Sequence, residues 1–498
     1  MKKYILAVLL IVSTPIDAIT QKFHLAQGWF PSEKNSAHRT MTALADQAKK
    51  MYAATVKAGS VRAIIVPHAG VAYSGAIASG VYALVQNVIR RVIILAPDHS
   101  GTIDGVALPY FDTYAIPTGK LSVDTQIVQK LSKKKHFTVN GDIFAHEHSL
   151  AMQLPFIHKF LPHASIVPLI IGDVSCLAAN DIAQVLTNYI DQTTLIVVSS
   201  DFVHYGKKFG FTPFKDHQQC RIRQLNSQAI ALIEAGNCAP FANFISSQGA
   251  TICGVNPLKI FLAMLAIHAL GTVEPRLIAY DTSTTNDNDD SVSYIGMLFT
   301  NQRLSSLPFA DQLTQQEKRN IADEASNIMN HLFDKNLDIS LYYPLQSLGV
   351  TQSHGAFATF KKKTEHGEEL RGCIGRMQTD APLYKTVAAV IQDAALRDPR
   401  FDPITADELP DLRLTISILS PLKTIDNYKN IRIGQQGVVL QYGNKSALFL
   451  PEVPLEFNWN IETMLNELAQ KAGLRSDVWR NNDAILQIFT TVNIEIDK

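Results

Sequence analysis

One design recurs three times in the first half of this 498-residue chain: an apolar, β-branched run that stops at a histidine. RAIIVPHAG places His68 just past Ala63 to Val66, and RVIILAPDHSG places Asp98 and His99 just past Val92 to Leu95. TLIVVSSDFVHYG breaks from Leu195 to Val198 into Ser199, Ser200, Asp201 and His204. Short apolar runs bounded by turn residues read as buried strands. In open α/β sheets, ligands sit beyond the carboxyl ends of the strands. Three histidine-tipped strands therefore predict one polar site, with the rest of the first half as its scaffold.

The spacing agrees. A helix-like stretch joins the first two strands, which makes a βαβ unit and argues for parallel pairing. We expect helices over residues 40–58, 76–88, 180–189 and 220–235, with Tyr73-Ser74-Gly75 read as part of a tight turn around His68. SIVPLIIGD reads as a further buried strand. His146, Glu147 and His148 cluster at the mouth of a helix carrying Leu150, Leu154 and Ile157 on one face. Cys253-Gly254 precedes an apolar helix with Pro257 in its first turn. Two closing strands follow, in RLIAYDTSTT and SVSYIGMLFT.

Residues 301–312 read as a linker, and Thr314 with Glu317 as a capping box that opens a second domain over residues 313–498. There, strands (LRLTISILS, GVVLQY, SALFLP) and helices (383–396, 461–472) do not alternate regularly, so α+β is expected. With 46% hydrophobic and 18% charged residues the chain is globular. Lys+Arg 45 against Asp+Glu 45 gives bulk electrostatics no reason to expect nucleic acid. Five cysteines, an odd number without CxxC spacing, predict neither a disulfide framework nor a zinc ribbon. Lys2 and Lys3 ahead of the apolar run Tyr4 to Val12 read as a secretory leader over residues 1–18, although Ile16 is large for the −3 position. Export to the periplasm follows, with a cytoplasmic location as the alternative. No transmembrane segment is expected after leader removal.

Twelve of the fifteen histidines lie before residue 270, which puts any metal chemistry in the first half. His68, His99 and Cys253 are the candidate ligands. Imidazole suits iron, copper and zinc, and a thiolate adds softness and negative charge. Asp201, His204 and His148 are the candidate acid–base groups, His204 to move protons and Asp201 to orient it, with Glu147 lining the same pocket. The bland reading is that a histidine after a strand caps a turn and that Cys253 is a small buried hydrophobe. In the second half, Cys373 lies between two glycines of LRGCIG, as a nucleophile or as an inert thiol. Arg371 and Arg400 are either anion ligands or paired arginines.

AQGWFP, PHAGVAYSG, APDHSG, HEHSLAMQLPFI, SSDFVHYG and TICGVNPLKIFL, in that order over residues 24–300, resemble the MEMO family, component B of the AmmeMemoRadiSam system. Val71 and Ala96-Pro97-Asp98 are mild departures from its usual motifs. LRGCIG, DPRFDPIT, ISILSP and LFLPEVP resemble the AMMECR1 family, component A of the same system. The resemblance implies a class III extradiol dioxygenase-like α/β fold, with a central sheet flanked by helices and a smaller α+β domain behind it. It implies one iron or copper ion at His68, His99 and Cys253, near Asp201 and His204, in a metal-dependent redox enzyme. The alternative it carries is a non-catalytic adaptor or metal-delivery protein. A small molecule or peptide, and a radical-SAM protein of the same system, are the implied partners. Such a radical-SAM partner would be cytoplasmic, in conflict with a leader.

Overall fold

The computed structural model describes residues 18–22, 24–52, 61–86, 88–216, 218–284, 290–301, 313, 315–333, 354–365, 367–377 and 383–496. Apart from Ala18 and Asn301, the expected leader and linker lie outside these residues, as does Thr314 of the expected capping box.

The apolar runs form the strands Val61–Val66, Thr194–Ser199, Arg91–Pro97 and Ser165–Ile171, adjacent in that order and all parallel. They are buried along almost every residue. Strands buried on both faces need helices on both faces, which is why they read as continuous apolar runs instead of alternating ones. Antiparallel strands extend this sheet: Ser291–Thr300 pairs with Val61–Val66 and with Glu274–Thr282, and Val106–Leu108 pairs with Ser165–Ile171. The helix Lys34–Tyr52 packs on Val71–Ala83, and Cys176–Thr187 packs on Val255–Ala266. Ile94 and Ile196 lie fully buried among these layers; trimming either to alanine would cost roughly 2–5 kcal/mol. Among the described residues no helix is long and apolar enough to cross a membrane.

Two local expectations change. The second helix begins at Val71, not Ala76, so Tyr73-Ser74-Gly75 is helical. Small residues allow this close packing: a Cβ on Gly75 would lie 2.7 Å from Val71 and 3.2 Å from Leu44 of the neighbouring helix. Packing overrides turn chemistry here. In addition, Cys176 and Cys238 form a disulfide with Cα atoms 5.9 Å apart, joining the first residues of the helices Cys176–Thr187 and Cys238–Gln248. Their separation of 62 residues and the odd cysteine count hid the pair from sequence arithmetic.

The second half is α+β, as expected. One antiparallel sheet orders Gly367–Arg376, Ala356–Thr364, Leu412–Leu419 and Thr491–Ile496, backed by the helix Leu383–Leu396. A second orders Lys423–Ile425, Ile485–Phe489, Gly437–Tyr442 and Lys445–Phe449. The helix Ile461–Lys471 packs on this second sheet.

Candidate metal centre

Because the strands carrying His68, His99 and Asp201 are neighbours, their carboxyl ends converge. A ligand atom from each of His68, His99 and His148 lies within 4.8 Å of the other two. The ring centroids are 5.2 Å apart for His68 and His99, 5.5 Å for His68 and His148, and 4.2 Å for His99 and His148.

The hydrogen bonds show which nitrogens face the centre. Ser199 Oγ donates to the Ser149 carbonyl at 2.7 Å and accepts from Gln153 Nε2 at 2.9 Å. Its single proton is thereby used, so it accepts from His68 Nδ1–H at 3.0 Å. The lone pair of His68 is then on Nε2, which is buried without a hydrogen-bond partner. His99 Nδ1 lies 2.8 Å from Glu147 Oε1, and the His99 backbone N–H donates to Glu147 Oε2 at 2.9 Å. A carboxylate on Nδ1 leaves the His99 lone pair on Nε2 as well. Asp98 fixes the approach: its carboxylate accepts from the backbone N–H groups of Ser100, Thr102 and Ile103 and shapes the loop from which His99 projects. Gly101, at φ +67°, supplies the left-handed turn this loop needs.

The electrostatics suit a cation. Burial holds His68 well below the usual imidazole range, and the neighbouring His99, His148 and His204 push the same way. Burial and His99 likewise lower His148 to about 4, against the pull of Glu147. Burial alone would raise Glu147, but its bonds to His99 and to the Ser149 backbone outweigh that and hold it at about 2. Neutral imidazoles beside an ionised carboxylate are a metal-ready set.

The other expected residues fall into place differently. Cys253 stands outside the three-histidine group; its Sγ lies 3.6 Å from His204 Nε2. His204 Nδ1 bonds to the carbonyls of Phe202 at 2.8 Å and Thr251 at 3.0 Å, so Nε2 faces the thiol as an acceptor. Burial, with the anions Asp201 and Glu147, pushes the Cys253 thiol well up. Gly254 lets this turn press on the Asp201 loop, since a Cβ there would lie 2.4 Å from Ser200 Oγ. Asp201 was expected to orient His204. Instead it accepts from the His68 backbone N–H at 2.8 Å, because its side chain reaches the adjacent strand end while His204 turns away into a pairing with Val292. Burial raises Asp201 to about 7 against its bonds to the His68 and Ala69 backbone. Ser199 and Gln153, which set the His68 tautomer, were not singled out in the sequence, although both lie inside quoted motifs.

On the open side, a cavity of about 240 Å³ adjoins His148, lined by His24, Leu25, Ala26, Trp29 and His146. Trp29 meets His148 edge-on at 4.6 Å. In the second half both arginines are paired, Arg371 with Glu408 and Arg400 with Asp398. The Cys373 sulfur lies 3.3 Å from Thr359 Oγ1, and its carbonyl accepts from Arg400.

Comparison with known proteins follows the same division. Residues 22–298 match the family model described as Memo-like protein, and residues 310–494 match that of AMMECR1. The chain is similar to Protein memo-1 homolog of Caenorhabditis elegans, 32% identical over 289 residues, which are 55% of this chain and 81% of that protein. It is also similar to Protein MEMO1 of Homo sapiens, 31% identical over 247 residues, covering 47% and 83%. Among solved structures, an uncharacterized protein from Pyrococcus horikoshii matches with 27% identity and a TM-score of 0.32, over 35% of this chain and 89% of that one.

Proposed function

The chain belongs to the Memo-like family with an AMMECR1 domain fused behind it, and from that premise we propose that it is a metal-dependent redox enzyme working on a small molecule or peptide. The observation that carries this reading is the buried Nε2 of His68, which has no hydrogen-bond partner and lies 3.9 Å from Asp201 Oδ2, in a residue whose ligand atom falls within 4.8 Å of those of His99 and His148. A desolvated lone pair without a donor is costly unless a cation meets it. His68, His99 and His148 would hold an iron or copper ion, and Cys253 would join them as an anionic donor after passing its proton to His204 Nε2. Such an ion supplies Lewis acidity and one-electron chemistry at the mouth of the 240 Å³ cavity.

The chain's own groups do the rest. His204, lowered by burial and by His99 against its two carbonyl bonds, offers Nε2 as the acceptor for that thiol proton. Asp201, at about 7, can hold or release one in the same range. Glu147 and Ser199 keep both Nε2 atoms aimed inward. Leu25, Ala26 and Trp29 line the approach to His148.

The test is metal content by mass spectrometry after purification without oxygen or chelator, beside His68→Ala/His99→Ala, followed by exposure to O2, peroxide and reductants. Near-stoichiometric iron or copper that is lost in the variant and reacts with one of these is the expected result. A fully metallated protein inert to all three would overturn the redox reading and leave a binding or metal-delivery protein. We further propose that the chain works in an oxidising compartment, a reading supported by the Cys176–Cys238 disulfide.

A further inference from the structure

The Asp201–His204 loop is tied to the second domain by a polar chain whose ends, Glu324 and Asn226, are buried and whose middle, Arg223 and Tyr280, is half-buried. It starts at Glu324, on the helix Gln315–Asn330, which packs against the Lys34–Tyr52 helix and the Glu274–Thr282 strand of the first domain. Glu324 is 1% exposed, and its Oε2 accepts from Arg223 of the helix Gln218–Glu234 at 2.8 Å. The Arg223 guanidinium lies 5.6 Å from the ring centroid of Tyr280, whose hydroxyl it pulls down against the rise that burial imposes. That hydroxyl lies 3.5 Å from Asn226 Nδ2, which also donates to Ser293 Oγ at 2.8 Å. Fully buried Asn226 turns its Oδ1 to the backbone N–H of Val203 at 3.2 Å. Val203 sits between Asp201 and His204. Its carbonyl accepts from the Ser293 N–H at 3.0 Å, and the Phe202 N–H donates to the Ser293 carbonyl at 2.8 Å.

From this chain we infer that the AMMECR1 segment is a working part of the first domain's site: Glu324, through Arg223, Tyr280 and Asn226, holds the loop that presents Asp201 and His204. Each link is directional. The carboxylate sets the guanidinium plane, the guanidinium and phenol set the amide, and the amide carbonyl fixes the Val203 N–H. Glu324 and Asn226, buried at the two ends, have few alternative partners, so a change at one is felt at the other. Glu324, Arg223 and Asn226 are positioning residues; none touches the histidine cluster. Backbone placement by this chain does not depend on a bound ion.

The experiment is amide hydrogen exchange by mass spectrometry on the full-length, metal-free chain, following the peptide that spans residues 199–206. Glu324→Gln keeps the shape but removes the charge, and it should speed exchange in that peptide about tenfold while leaving the strands Arg91–Pro97 and Ser165–Ile171 unchanged. Arg223→Lys, which loses the planar fork, should give the same local signature and reads the chain independently if the first variant does not fold. Adding Glu324→Gln to Asn226→Ala should produce no further increase. Ala325→Gly is the control, because it loosens the same helix without touching the carboxylate. Unchanged exchange at 199–206 in Glu324→Gln, an equal rise in Ala325→Gly, or a uniform rise across all peptides would each overturn the inference. None of these outcomes depends on metal, so failure here is distinct from failure of the redox reading.

Discussion

Ser199 Oγ and His68 Nδ1 lie 3.0 Å apart, and that contact decides which nitrogen His68 offers. The hydroxyl has given its proton to the Ser149 carbonyl, so the imidazole must donate. Ser199→Ala removes the acceptor and frees the ring to flip or change tautomer. Loss of such an outer partner typically lowers metal affinity 10–100-fold. Competition with a chromogenic chelator should show a drop of that size for iron(II) or cobalt(II), with the fold retained. Affinity equal to wild type would mean that the tautomer is set elsewhere.

The identity of the donors beyond His68 and His99 is a second point of test. His148 already shares the cluster, while Cys253 must first lose a proton that burial and two carboxylates hold on it. A dication reverses that balance, since coordination deprotonates a thiol outright. X-ray absorption of the loaded protein should therefore show nitrogen scatterers at about 2.0–2.1 Å and one sulfur at about 2.3 Å. The sulfur should vanish in Cys253→Ser, and His148→Ala should weaken binding without removing it. A shell of nitrogen and oxygen alone in the wild type would make Cys253 a spectator.

Much of this centre was legible in the sequence because strand-end motifs are local. A run such as RVIILAPDHSG names both its strand and the side chain that the strand delivers. Adjacency of strands was legible only in part, since parallel order depends on crossovers and not on any one motif. Asp201 shows the limit: from its own strand it is expected to serve His204 three residues on, yet its carboxylate crosses to the neighbouring strand end and holds His68. The Cys176–Cys238 pair and the chain from Glu324 to Val203 were invisible for the same reason. Both join elements far apart in sequence through contacts that only packing creates.

The disulfide closes a loop whose ends are 62 residues apart. In the chain-entropy account such a crosslink stabilises by about 4 kcal/mol, and measured values commonly fall at 2–4 kcal/mol. Cys176→Ser/Cys238→Ser should lose about that much in urea unfolding, and dithiothreitol should bring the wild type to the same curve. No change on reduction would mean that the bridge contributes nothing to the folded state.

Glu234 offers a pH test well away from the histidine cluster. It lies near the end of the helix Gln218–Glu234, with Oε1 buried and lacking a hydrogen-bond partner, and burial raises its carboxyl to about 8. A carboxyl raised above its unfolded value of 4.5 is neutral in the fold and charged in the unfolded chain between those limits. Its contribution to stability is full below pH 4.5 and is lost as pH rises towards 8. Glu234→Gln cannot ionise, so its advantage over wild type should grow across that window and reach about 4 kcal/mol by pH 8. Urea unfolding of both proteins at pH 5, 6.5 and 8 checks this. Parallel losses in the two proteins would show that Glu234 is hydrated and ionises in the folded state like an ordinary surface carboxylate.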